Sequence, residues 1–185
     1  MSDFIDKNVL IIIPKSQFCE EELYGIRSVL ESHGVRVVVL SKSGQKAYGM
    51  KRDEFQPDGM IVDWDRQLGV QGKYHAVILV GGKGARKSLW DDPIIPQILT
   101  DHYRFGSLIG AVGEALTVFV RASLITGEIP LPKDAYTQKE LKNLGAVCVD
   151  TPIISSENIV LGQGLDSIDQ FSQVILDFME IREVC

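Results

Sequence analysis

The run Val9-Leu10-Ile11-Ile12-Ile13 is apolar at every position and stops at Pro14. A strand with one wet face alternates apolar and polar residues. A strand apolar throughout is covered on both faces, as in parallel sheets sandwiched between helices. Val35–Leu40, Ala76–Val80 and Ser107–Val112 repeat the pattern. Helical periodicity fills the intervals at Glu20–His33, about Pro93–Tyr103, about Glu114–Leu124, Tyr136–Leu144 and about Ser167–Glu180. The last helix carries Ile168, Phe171, Val174, Ile175 and Phe178 on one face, and Ser167 with Gln170 has capping-box spacing. Val147–Val149 and Ile159–Leu161 are shorter strand candidates, and Ser41–Asp65 reads as a hairpin or loop excursion. Strand alternating with helix predicts a doubly wound α/β sandwich.

Composition narrows the function classes. The 185 residues, 45% hydrophobic and 24% charged, suit one domain over residues 1–185 with a core large enough to need no structural metal or disulfide. A net charge of −6 without a basic stripe argues against nucleic acid and anionic membrane as main partners. Cys19, Cys148 and Cys185 are far apart, with no CxxC and no histidine at ligand spacing, so reduced thiols in a cytoplasmic protein are expected. Val9–Ile13 is too short for a membrane span or signal segment. No cofactor or metal is implied.

Ligands of open parallel sheets bind at the carboxyl ends of the strands. The first strand leads into Cys19-Glu20-Glu21-Glu22. On the following helix Leu23, Ile26, Val29 and Leu30 form the apolar stripe, and Glu22 shares its phase, four residues before Ile26. Glu20 and Glu21 are expected to face water and complement the helix N-terminus, while Glu22 turns inward to the crevice. The third strand ends at Gly81-Gly82-Lys83-Gly84, where Arg86 breaks a phosphate-loop pattern. The glycines fit either backbone amides offered to an oxyanion or a tight turn. The fourth strand turns through Gly113 into Glu114. Such an elbow presents a nucleophile in several hydrolases, but glycine carries none.

Together these pieces resemble the DJ-1/PfpI superfamily, the intracellular protease-like branch of the class I glutamine amidotransferase-like fold. The resemblance spans Asn8 to Ile181 and rests on Phe18–Leu23, Ala76–Ala85, Gly106–Val112, Leu141–Ala146 with Val149-Asp150, and Asn158–Gly164. It implies a flavodoxin-like three-layer sandwich with a mainly parallel central sheet, and a homodimer. Family members carry an elbow cysteine, often followed by histidine. Here those positions read Gly113 and Glu114. The family glutamate falls on Glu22, and the paired glycines of the oxyanion hole fall on Gly81 and Gly82.

The resulting expectation is a diverged member without the elbow nucleophile that binds a small molecule or a partner, with Glu22, Gly113 and Glu114 at the catalytic positions and Gly81, Gly82 and Cys19 as ligand-binding residues. A hydrolase or lyase using Glu22 with Glu114 or Cys19 is the alternative. Neighbouring acids disfavour a Cys19 thiolate, whereas the helix N-terminus favours one. Nucleotide binding through Gly81–Ser88 is a third class. Gly113 is expected to have positive φ, with the Glu22 carboxylate within hydrogen-bonding reach of the elbow backbone or of Glu114.

Overall fold

The computed structural model describes residues 4–183. The first apolar run forms β1 (Asn8–Ile12), which passes through α1 (Glu20–Ser32) to β2 (Arg36–Ser41). The excursion after it makes an antiparallel pair, β3 (Ala47–Tyr48) with β4 (Glu54–Phe55), and β5 (Gly59–Met60) then returns beside β2. The chain continues through β6 (Ala76–Leu79), the short α2 (Ala85–Ser88), α3 (Ile95–Phe105) and β7 (Leu108–Val112). One 3-10 turn, Gly113–Ala115, leads into α4 (Leu116–Arg121). The elements β8 (Glu128–Pro130), α5 (Ala135–Asn143), β9 (Val147–Val149), β10 (Ile153–Ser156), β11 (Ile159–Gly162) and α6 (Ile168–Glu183) complete the order.

Seven strands form one sheet in the order β10-β11-β7-β6-β1-β2-β5, parallel except for β10 against β11. β8 and β9 pair separately. The period-two geometry of a strand sorts the apolar runs onto two faces. Leu10 and Ile12 of β1, Val77 and Leu79 of β6, and Ile109 and Ala111 of β7 enter one core layer, shared with Ile98 of α3, Phe119 of α4 and Leu141 of α5. Val9, Ile11, Ala76, Ile78, Leu108 and Val112 enter the opposite layer with Leu23 and Ile26 of α1 and Phe171 and Ile175 of α6. Each fully buried aliphatic side chain contributes roughly 1.5–3 kcal/mol, so the two layers, both completely shielded at the central strands, dominate the stability. This is the flavodoxin-like three-layer sandwich.

Two local expectations are corrected. Ser167 does not open a capping box with Gln170, which is exposed. Its hydroxyl closes the turn before α6 instead, donating to Gly164 O at 2.6 Å and accepting the Gly164 N–H at 3.3 Å. The Glu114–Leu124 helix is shorter, because its first turn is 3-10 and α4 ends at Arg121. Among the described residues no helix is long and apolar enough to cross a membrane.

β1, β6 and β7 are neighbours at the sheet centre, with Ile12 beside Leu79 and Leu79 beside Ala111. Their carboxyl ends therefore emerge together. That register brings Glu22, Gly81–Gly82 and Gly113–Glu114 to one place.

Candidate active site

Glu22 lies in the first turn of α1, four residues before the buried Ile26, and the same helix phase carries it under the sheet end, where it is 3% exposed. Its Oε1 accepts the Gly81 N–H at 3.0 Å. Burial first, and then the Glu114 charge, push its pKa up to about 7 against the opposing pull of the Gly81 amide and Cys19. Glu114 sits one residue past the elbow. Its Oε2 accepts the Gly82 N–H at 2.8 Å, and its backbone carbonyl accepts the Trp90 Nε1–H at 2.8 Å.

Between the two acids is Gly113, with φ of 59°, a left-handed conformation that suits glycine. A β-carbon placed here would find its nearest neighbour, Glu22 Oε2, at 3.4 Å. The elbow thus has room for a side chain beside Glu22 and supplies none.

Cys19 is the residue before α1 and is 3% exposed. Its Sγ donates to Glu21 Oε2 at 3.6 Å, while burial and the Glu22 charge push the thiol well above its ordinary range. Cys19, Glu22, Gly113 and Glu114 line one cleft of about 200 Å³, which Met50, Pro132, Lys133 and Leu165 help to wall. Gly81 and Gly82 stand behind the two carboxylates, with their N–H groups engaged by them. Lys133 is ion-paired with Asp166.

Other sequence expectations are redistributed. Glu20 does not face water. It is 3% exposed, and its carboxylate accepts the Lys51 N–H at 2.7 and 2.9 Å. The reason is the 41–65 excursion, which folds back over the start of α1 and pairs Phe18 with Gly49. Glu21 is only half-buried and pairs with Lys51 Nζ. The phosphate-loop reading also fails in detail: besides Gly81 and Gly82, the Gly84 N–H is taken by Gln17 O at 3.1 Å and the Lys83 N–H by Met50 Sδ at 3.4 Å. An incoming phosphate would meet amides already in use.

None of His33, His75 and His102 lines the cleft. Cys148 is half-buried in β9, and Cys185 lies outside the described residues. Among the described residues, no group of three or more His, Cys, Asp or Glu could hold a metal ion. Sequence reasoning missed the far wall. Asp134 caps α5 by accepting the Thr137 N–H at 2.9 Å and pairs with Arg86 at 2.6 Å, and the Arg86 guanidinium lies 4.1 Å from the Tyr136 ring centre. The Asp134-x-x-Thr137 spacing was the available signal.

The DJ-1/PfpI family model matches residues 7–178. The chain belongs to the DJ-1/PfpI family. It is 26% identical over 176 residues to an uncharacterized protein of Methanocaldococcus jannaschii, covering 93% of this chain and 82% of that one. To a glutathione-independent glyoxalase of Caenorhabditis elegans it is 24% identical over 175 residues, covering 94% and 89%. In fold it is similar to a ThiJ/PfpI domain protein of Brachyspira murdochii, with a TM-score of 0.81 at 20% identity and coverage of 94% and 96%. Drosophila melanogaster DJ-1beta follows at a TM-score of 0.76, 20% identity and coverage of 93% and 90%.

Proposed function

We propose that this DJ-1/PfpI chain is a diverged member that binds a small molecule or a partner in the Glu22–Gly113–Glu114 cleft, without covalent catalysis at the elbow. The observation that carries this reading is Gly113: its position beside Glu22 has space for a nucleophile and holds no atom able to form a covalent intermediate. Cys19 is a poor substitute, since burial and the neighbouring acids keep its thiol protonated. The glyoxalase name of the C. elegans relative makes 2-oxoaldehydes the first compounds to test. The expected result is no thiol-dependent turnover, together with ligand-induced shifts in melting temperature that Glu22→Gln changes. Turnover abolished by Cys19→Ser would overturn the reading.

A second reading, acid–base catalysis by a hydrolase or lyase, is favoured by the Glu22 pKa of about 7 beside a second carboxylate. It requires activity that survives loss of all cysteines and follows the protonation of Glu22. We further propose a homodimer, on the family resemblance, and a cytoplasmic location, on the sparse and odd cysteine count; a monomer mass by light scattering at micromolar concentration would contradict the dimer.

A further inference from the structure

We infer that Glu114 sets the ligand class of the cleft: its carboxylate is a built-in occupant of the backbone anion cradle, which excludes carboxylates and phosphates and leaves the cleft to uncharged or cationic hydrogen-bond donors such as small amines and alcohols. The inference rests on the proposed role of the cleft as a binding site and narrows what it binds.

Adjacent backbone amides at a strand end form a natural cradle for an anion. In this chain both are filled from within, Gly81 N–H by Glu22 Oε1 at 3.0 Å and Gly82 N–H by Glu114 Oε2 at 2.8 Å. The Glu114 oxygen lies deep in the turn, since a β-carbon on Gly81 would stand 2.7 Å from it. The backbone that aims it is clamped: the Trp90 indole holds the Glu114 carbonyl and stacks on Tyr136 with ring centres 6.1 Å apart. The side chain itself is tethered through the Gly82 N–H.

An anionic ligand would have to expel Glu114, replace its hydrogen bond and sit beside Glu22. Lys133, the basic residue lining the cleft, is solvent-exposed and ion-paired with Asp166, so exchanging that partner for an anionic ligand gives little net gain. An amine or hydroxyl instead leaves Glu114 in place and donates to the carboxylates, with Met50, Pro132 and Leu165 available to its apolar part. A cavity of about 200 Å³ limits it to a small molecule.

The test is amide NMR of the 15N-labelled parent, Glu114→Ala and Glu114→Gln, titrated with sodium acetate at constant ionic strength and neutral pH. In the parent the Gly82 resonance should not respond. In Glu114→Ala it should move upfield without acetate and return saturably as acetate takes the vacated place, binding about tenfold or more tighter than to the parent. Glu114→Gln, which keeps an oxygen on the Gly82 N–H, should bind acetate more weakly than Glu114→Ala. If Glu114→Ala fails to fold, Glu114→Ser gives the same readout. Acetate binding at Gly82 in the parent as tight as in Glu114→Ala, or no response in the variant, would overturn the inference. Cleft binding by parent protein of carboxylates from a small-molecule panel would overturn it too while sparing the proposed function. No binding of any class would sink the proposed function instead.

Discussion

The Glu22 carboxylate and the Gly81 amide, 59 positions apart in the chain, meet at 3.0 Å across the end of the central sheet. That bond holds an acid with its pKa raised from an ordinary 4.5 to about 7, burial being the main cause. A raised folded-state pKa contributes stability that is complete below the unfolded value and is lost as pH rises through the folded one. Glu22→Gln should therefore gain on the parent between about pH 4.5 and 7, by about 3 kcal/mol in all, and hold that margin above. Denaturant unfolding at several pH values measures it; a margin independent of pH would refute the buried protonated acid.

Gly113→Cys should fold, because the new β-carbon meets nothing nearer than 3.4 Å. It should lose about 1 kcal/mol or more through its φ of 59°. Its thiol, facing Glu22 with Glu114 alongside, should react with iodoacetamide slowly at neutral pH, and Gly113→Cys with Glu114→Gln should react several-fold faster, about as expected for removing one nearby negative charge. Equal labelling rates would show that Glu114 does not govern the elbow.

His102 is fully buried, donates from Nδ1 to Ile98 O at 2.7 Å and accepts the Tyr74 N–H on Nε2 at 3.2 Å. Protonation would cost it the Tyr74 bond, and burial lowers its pKa from the ordinary 6.5. Its contribution is present above that value and lost as pH falls below it, the reverse of Glu22. In the Glu22→Gln background stability should accordingly decline on acidification below about pH 6.5, with NMR showing a neutral Nδ1–H tautomer in the folded protein.

Gly49→Ala should cost about 1–3 kcal/mol, since a β-carbon there would overlap the Glu20 carboxylate and drive it from the Lys51 N–H. Thermal melting is the measurement. A loss below about 0.5 kcal/mol would mean that the 49–53 turn, closed by the Gly49 N–H on Asp53 O at 2.9 Å, moves freely away from α1.

The sheet centre was legible because β1, β6 and β7 are apolar at nearly every position, a pattern that only a doubly covered strand requires. Glu22 was legible for a similar reason, as its helical phase alone buried it. Glu20 was not, because what covers it arrives from the 49–53 turn and leaves no periodicity in α1. β8 and β10 escaped notice since Glu128-Ile129-Pro130 and Ile153-Ile154-Ser155-Ser156 are short edge pieces whose pairing is decided by neighbours. Glu114 could be placed near Glu22 from the sequence, but its bond to Gly82 depends on the 3-10 turn, which no local pattern announces.

The Glu22 pocket exists only when β1, β6 and β7 lie side by side in register, contacts joining widely separated stretches of chain. Such non-local pairing closes late and slowly during folding. Between about pH 5 and 7 the unfolded chain carries Glu22 ionised, whereas the finished cleft holds it largely protonated. Refolding in that window draws a proton to Glu22 when the strand ends close over the carboxylate, while His102 gives one up in both parent and Glu22→Gln, so the difference between their indicator-dye traces in a stopped-flow cell would time the birth of the cleft itself.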